Sequence, residues 1–210
     1  MGKLDEIKDL VINGKAKLMA SAVDEALAAG EAPTDILNAM IDSMAVIGER
    51  FKNNEVFVPE MLVSARAMKK GVAELKPHLA QGQAGALGKV VIGTVQGDLH
   101  DIGKNLVAMM IESAGFEIID LGVDVPKEKF LEACEQNEGI KIVALSALLT
   151  TTLGNMEDTI KLLSEKPFRK DITIMVGGAP ITEEFAKKIG ADVYTKDAAS
   201  AAETAKAIVG

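Results

Sequence analysis

The sequence predicts a two-part chain: an N-terminal four-helix bundle followed by a doubly wound α/β domain built on a five-stranded parallel sheet. Three observations carry this. Residues 1–76 lack β-branched runs, and their apolar residues recur at three- and four-residue spacing. A glycine-rich stretch with little charge then interrupts the periodicity, and beyond it short apolar runs of strand length alternate with helical stretches.

Taken in order, Leu4, Ile7, Leu10 and Val11 form an apolar stripe before Gly14, and Leu18, Ala22, Ala26 and Leu27 form a second before Gly30. Pro33 opens a third helix carrying Ile36, Leu37, Met40, Ile41, Met44 and Ile47, with Gly48 near its end. A fourth starts at Pro59 and carries Met61, Leu62, Ala65, Met68, Val72 and Leu75 to the breaker Pro77. Short connections between four such helices point to an antiparallel bundle over residues 1–77. The methionines at helical spacing, Met40, Met44, Met61 and Met68, are expected to be core. Residues 78–88, HLAQGQAGALG, are expected to be an interdomain linker with His78 exposed at its start.

In residues 89–210 the runs Lys89–Thr94, Phe116–Asp120, Lys141–Ser146, Ile172–Val176 and Asp192–Tyr194 have strand length. The stretches Gly103–Ala114, Pro126–Asn137, Thr151–Ser164, Thr182–Ile189 and Asp197–Ile208 between and after them have helical character. Near-continuous apolar strands joined by helices imply a parallel sheet covered on both faces, of flavodoxin-like type. In such sheets ligands bind outside the carboxyl ends of the strands, at the switch point. The loops after the first, third and fourth strands are therefore where chemistry is expected.

Composition narrows the function classes. With 31 acids against 23 bases the formal net charge is −8, which disfavours nucleic acid, and six Phe, one Tyr and no Trp leave little for base stacking. The longest apolar runs, such as 142–149, fall well short of the roughly 18 to 20 residues a membrane span needs, and no secretory leader is evident. Met1-Gly2 does not make a myristoylation signal, because Glu6 stands where Ser or Thr is required. A cytoplasmic protein is expected. Cys134, the single cysteine, is expected to be a half-buried helix residue, and Glu183-Glu184 a solvated first helical turn.

The loop after the first strand reads Gly97-Asp98-Leu99-His100-Asp101-Ile102-Gly103-Lys104-Asn105. Its glycines have neither the spacing of a P-loop nor that of a dinucleotide fingerprint. It does place an imidazole two residues after a carboxylate, at the mouth of the sheet. Such a carboxylate fixes the tautomer of a metal-ligating histidine and raises its basicity. With two histidines and one cysteine in the chain, a zinc or non-haem iron site has no complete ligand set. The residues leave three uses for His100 open: the single axial ligand of a metal held by a macrocycle, ordinary acid–base chemistry, or a structural loop role.

Asp98-x-His100-x-x-Gly103 resembles the D-x-H-x-x-G signature of cobalamin-binding domains. Ser146-Ala147-Leu148 resembles the family's S-x-L after the third strand, and Gly177-Gly178 its glycine pair after the fourth. The N-terminal half, including residues 57–68, is similar to the helical cap that precedes the cobalamin domain in methionine synthase and in corrinoid proteins of methyltransferase systems.

The resemblance implies cobalamin or a related corrinoid, carried as methylcobalamin, bound base-off with His100 as the axial cobalt ligand. Asp98 would hydrogen-bond His100, and Thr152, where methionine synthase has serine, would complete a proton relay; His100, Asp98 and Thr152 thus form the catalytic set. Ser146, with Leu148 beside it, would hold the buried nucleotide base. Gly103, Gly177 and Gly178 would leave room for the cofactor's tail, and Asp101, Ile102 and Thr150 would also bind the cofactor. Phe51 and Val58 of the cap would shield the methyl group.

The function so implied is that of a methyl carrier, a non-autonomous subunit rather than a complete enzyme, since 210 residues leave no room for a substrate barrel of about 250 residues. Cobalt would accept a methyl group from methylamine, methanol, betaine or a similar donor through a substrate-specific methyltransferase. A second methyltransferase using tetrahydrofolate or coenzyme M would remove it, and a reductive activase would restore the cofactor. A cobalamin-dependent sensor, a small subunit of an adenosylcobalamin mutase and a flavodoxin-type module without cobalamin are the alternatives. The linker at 78–88 is expected to act as the hinge on which the cap moves aside.

Overall fold

A computed structural model of the chain describes residues 2–79 and 87–209. It divides into two compact units, one made chiefly of the N-terminal helices and one containing the sheet. Most of the expected linker, residues 80–86, lies outside the described residues, and the hinge expected there lies with it.

The first unit contains α1 (Lys3–Ile12), α2 (Met19–Ala28), α3 (Pro33–Lys52) and α4 (Val58–Leu79). Its core is the expected helical stripe. Ile7, Val11, Ile36, Met40, Ile47, Met61, Met68 and Leu75 are all buried. Pro33 occupies the first turn of α3, where a missing N–H costs nothing. Gly14, at φ +63°, reverses the chain after α1, and a Cβ there would collide with the Val63 side chain. The Ser64 hydroxyl of α4 donates to the Ile12 carbonyl at 3.2 Å, satisfying an acceptor that the end of α1 leaves without a helical donor.

Two expectations for this unit need correction. Leu18 is not part of the α2 stripe; it precedes the helix and is exposed, and Met19 and Val23 fill the buried positions instead. Pro77 does not end α4, which runs on to Leu79 with His78 exposed in its last turn. So near a helix terminus, the proline forfeits little of the hydrogen-bond ladder, and its fixed φ is already helical.

The second unit runs β1 (Lys89–Thr94), α5 (Ile102–Ser113), β2 (Glu117–Asp120), α6 (Lys127–Gln136), β3 (Ile140–Ser146), α7 (Leu153–Ser164), β4 (Thr173–Gly177), α8 (Glu183–Lys188), β5 (Val193–Tyr194) and α9 (Ala198–Val209). All four strand pairings are parallel, in the order β2-β1-β3-β4-β5. That is the doubly wound order expected, and its switch point lies between β1 and β3. The central strands β1, β3 and β4 are almost wholly buried, whereas the edge strands β2 and β5 are only partly so. Order decides this, because an edge strand lacks a neighbour on one side.

The register carries the fold's consequence for function: Thr94 pairs with Ser146, and Ser146 with Gly177. The carboxyl ends of the three central strands thus lie in one row, and the loops after them emerge side by side. Beneath this row Phe130 of α6 is fully buried over Gly93, where a Cβ would stand 2.7 Å from the ring. Substituting Phe130→Ala is expected to destabilise the sheet unit by about 3 to 5 kcal/mol, read as a lower urea midpoint of its unfolding transition.

Candidate functional site

The Asp98 carboxylate is the centre of the site. Asp98 is fully buried, on the loop between β1 and α5. Its Oδ1 accepts from the His100 imidazole Nδ1 at 2.7 Å and from the His100 amide at 3.1 Å. Its Oδ2 accepts from the Leu148 amide at 2.7 Å, the Leu149 amide at 3.1 Å and the Thr152 hydroxyl at 3.2 Å. One side chain thereby ties the β1 loop to the β3 loop across the switch point. Thr152 shares its single proton between Asp98 and the Leu149 carbonyl, which lies at 2.9 Å.

Burial alone pushes the Asp98 carboxyl up. The amide of Leu148, the His100 side chain and the amides of His100 and Leu149 outweigh it and hold the group far below the usual carboxylate range. Asp98 is therefore ionised at neutral pH, and Nδ1 of His100 carries the proton it receives. In the neutral imidazole so oriented, Nε2 is the nitrogen that keeps the lone pair. The imidazole is half exposed, so this lone pair sits on a ring that a ligand can reach.

The surroundings show what kind of ligand the site can take. Among the described residues no three His, Cys, Asp or Glu side chains converge on a point that could hold a metal ion, so a metal here must arrive with most of its ligands in place. Leu99 and Ile102, 71% and 85% exposed, flank His100 in sequence, and Leu148 and Leu149 are exposed on the neighbouring loop. Four large apolar side chains left in water on the two loops that Asp98 joins suit a broad apolar ring. A Cβ on Gly103 would meet nothing within 4 Å, so the protein's own packing does not require glycine there. The Ser146 hydroxyl, at the end of β3, makes no hydrogen bond to another described residue. These residues fit a corrin held by one histidine.

The other residues expected here are accounted for individually. Asp98, His100 and Thr152 are in direct contact, as expected. Leu148 contributes its amide to Asp98 while its side chain stays exposed. Gly177 and Gly178 have a reason within the protein: a Cβ on Gly177 would stand 3.1 Å from the Thr195 carbonyl oxygen, and one on Gly178, at φ +139°, would collide with the Ala147 carbonyl. Asp101 pairs with Asn105 at 3.1 Å in the first turn of α5, and Thr150 is exposed. Phe51 and Val58 belong to the helical unit, Phe51 half-buried near the end of α3 and Val58 exposed at the start of α4. Cys134 is half-buried, and burial together with the Glu135 carboxylate pushes its thiol up to about 11.

Several residues that build the site were not anticipated. Thr94, fully buried, donates to the His100 carbonyl at 2.9 Å. Asn155 donates to the Gln96 carbonyl at 2.7 Å, and Asp124 accepts from the Gly97 amide at 2.7 Å. Of these only Thr94, a lone polar residue closing an apolar strand, leaves a trace in the sequence.

Comparison with known proteins shows the family. The B12 binding domain family matches residues 88–206, and a second B12 binding domain family matches residues 3–76. The chain belongs to the B12-binding family. A dimethylamine corrinoid protein of Methanosarcina acetivorans is 40% identical over 208 residues, covering 99% of this chain and 97% of that protein. A cobalamin-binding protein from Desulfitobacterium hafniense has a similar structure, with a TM-score of 0.81 at 31% identity, covering 99% of this chain and 98% of that one. The methanol:cobalamin methyltransferase complex of Methanosarcina barkeri contains a chain matching with a TM-score of 0.86 at 29% identity, over 99% of this chain and 79% of that one. A corrinoid is thus the cofactor class of this B12-binding protein.

The depressed pKa of Asp98 has a definite sign for stability. Because the folded value lies below the ordinary Asp value near 3.9, its contribution is complete above about pH 5 and declines as pH falls below about 4 toward the folded value. An Asp98→Asn variant is expected to lose about 1 to 3 kcal/mol at pH 7, since an amide cannot accept all the bonds the carboxylate does. The difference from the parent protein should shrink in urea titrations as pH falls below 4.

Proposed function

We propose that this B12-binding chain is a corrinoid methyl carrier in which His100 is the lower axial ligand of cobalt, and that it serves as a non-autonomous subunit between two methyltransferases. The observation that carries this reading is the ionised Asp98 bound to Nδ1 of His100, which leaves Nε2 as the donor nitrogen. The corrin's cobalt supplies the methyl-accepting and methyl-donating chemistry when bound. The residues that would hold it are His100, the exposed Leu99, Ile102, Leu148 and Leu149, and Gly103 and Ser146. Asp98 keeps the imidazole oriented and basic. Thr152 supplies a hydroxyl through which a proton can pass to or from that pair.

The matched relatives include a dimethylamine corrinoid protein and a chain in a methanol methyltransferase complex. On their chemistry, the first partner of this chain is a methyltransferase acting on a methylated amine or on methanol. The second partner takes the methyl group to tetrahydrofolate or coenzyme M, and a reductive activase returns the cofactor to its active state. The chain acts in the cytoplasm.

The test is anaerobic reconstitution with cobalamin, desalting, reduction to Co(II), and EPR with natural-abundance and nitrogen-15 histidine. An axial nitrogen splitting that changes from a triplet to a doublet on labelling places His100 on cobalt. An unchanged splitting would mean that the cofactor keeps its own base, and would remove the roles given to His100 and Asp98. Gly103→Leu provides a second check. Its side chain enters space the protein leaves open, so the melting temperature should stay close to the parent value while corrin retention after desalting is lost.

A further inference from the structure

The loop that carries Asp98 and His100 and the first turn of α5 beyond it are both tied to the end of β2 and the turn that follows it. At the upstream end Asp124 makes two bonds to the loop. Its own amide donates to the Asp98 carbonyl at 2.9 Å, and its Oδ1 accepts from the Gly97 amide at 2.7 Å. At the downstream end the buried Lys104 donates to both carboxylate oxygens of Asp120, at 2.7 and 2.6 Å. Between them the backbones run side by side. Thr94 donates to the Gly122 carbonyl, Val125 donates to the Thr94 carbonyl, and Val95 bridges Val125 in parallel.

Asp124 is held in an unusual conformation, with φ at +53°, which side chains other than those of Asn and Asp rarely adopt. It is exposed, so burial of its side chain does not account for that conformation. What the conformation achieves is to turn both its amide and its carboxylate onto Gly97 and Asp98. The Asp98 side chain is anchored to the β3 loop, and nothing in those bonds fixes its backbone from the opposite side. Asp124 does so.

We infer that Asp124 is a positioning residue for His100. It holds the Gly97–Asp98 backbone from the β2 side, so that the Asp98 carboxylate keeps its short bond to Nδ1 and Nε2 remains the nitrogen with the lone pair. The inference rests on the proposed function only for its consequence, the presentation of Nε2 to cobalt. Its geometry belongs to the protein alone and can be tested without any corrin.

The experiment is side-chain nitrogen-15 NMR of the full-length chain without cofactor, followed with rising pH to the plateau where the histidine shifts no longer change. The chain has two histidines, and His78→Gln assigns the spectrum. In the parent protein His100 should show a protonated Nδ1 and an unprotonated Nε2. In Asp124→Ala and Asp124→Gly the two nitrogen shifts should move toward each other, toward the Nε2–H tautomer that free histidine favours. Glycine tolerates the positive φ, so Asp124→Gly isolates loss of the carboxylate from backbone strain and carries the test if the alanine variant does not fold. Asp124→Asn retains an acceptor oxygen and should restore the parent pattern. Parent-like His100 shifts in Asp124→Gly would overturn the inference, as would a parent protein lacking the Nδ1–H tautomer. Corrin retention by the parent chain is measured separately: a chain that shows the tautomer and its dependence on Asp124 but binds no cobalamin would refute the functional proposal and leave this inference standing.

Discussion

A single buried carboxylate organises the working end of this protein. Charge removed from water is costly unless it is fully hydrogen-bonded, and Asp98 meets that condition with five donors drawn from two loops. Its burial and its bonds oppose one another, and the bonds prevail, so the group stays ionised. Everything distinctive about His100 follows. The imidazole is oriented, its Nδ1 proton is assigned, and its second nitrogen is available on a half-exposed ring. Moving the β3 loop would strand this charge, which makes the two loops a single structural unit.

The sheet makes that arrangement available. Because β1, β3 and β4 end level, with Thr94, Ser146 and Gly177 in register, their following loops meet at one edge. The glycine pair after β4 permits close backbone approach within the protein, against Ala147 and Thr195, while Gly103 faces open space. These are different uses of the same residue type. One is required by folding, and the other is not required by the protein's own packing.

The layout suits a carrier better than a complete catalyst. A side chain that ligates a metal already enclosed by a macrocycle has little chemistry to perform beyond orientation, basicity and proton supply, and those are the functions the Asp98, His100 and Thr152 contacts can serve. Exposed apolar side chains on the two loops that Asp98 joins give the corrin a surface to cover. The relatives' names refer to different methylated donors.

The division between what sequence and structure contribute follows from the range of each interaction. Helical and strand periods are properties of neighbouring residues, so the four amphipathic helices, the five strands and the placement of Asp98 and His100 in the loop after β1 were legible from the chain alone. Leu18 and Pro77 were misjudged because both lie at helix ends, where a pattern of spacing says least and where caps and local hydrogen bonds decide. The D-x-H-x-x-G resemblance further identified the pairing of Asp98 with His100, and the position six residues beyond the S-x-L serine pointed to Thr152. By itself, then, the sequence determined the elements, their order and the identity of the central pair. Only the tertiary structure decided that the Leu148 and Leu149 amides, Thr94 and Asp124 complete the site, and that Gly178 serves the backbone of Ala147. Contacts such as that between Gly97 and Asp124 depend on strand order and register, which are set by the packing of the whole sheet and leave no local signal in the chain.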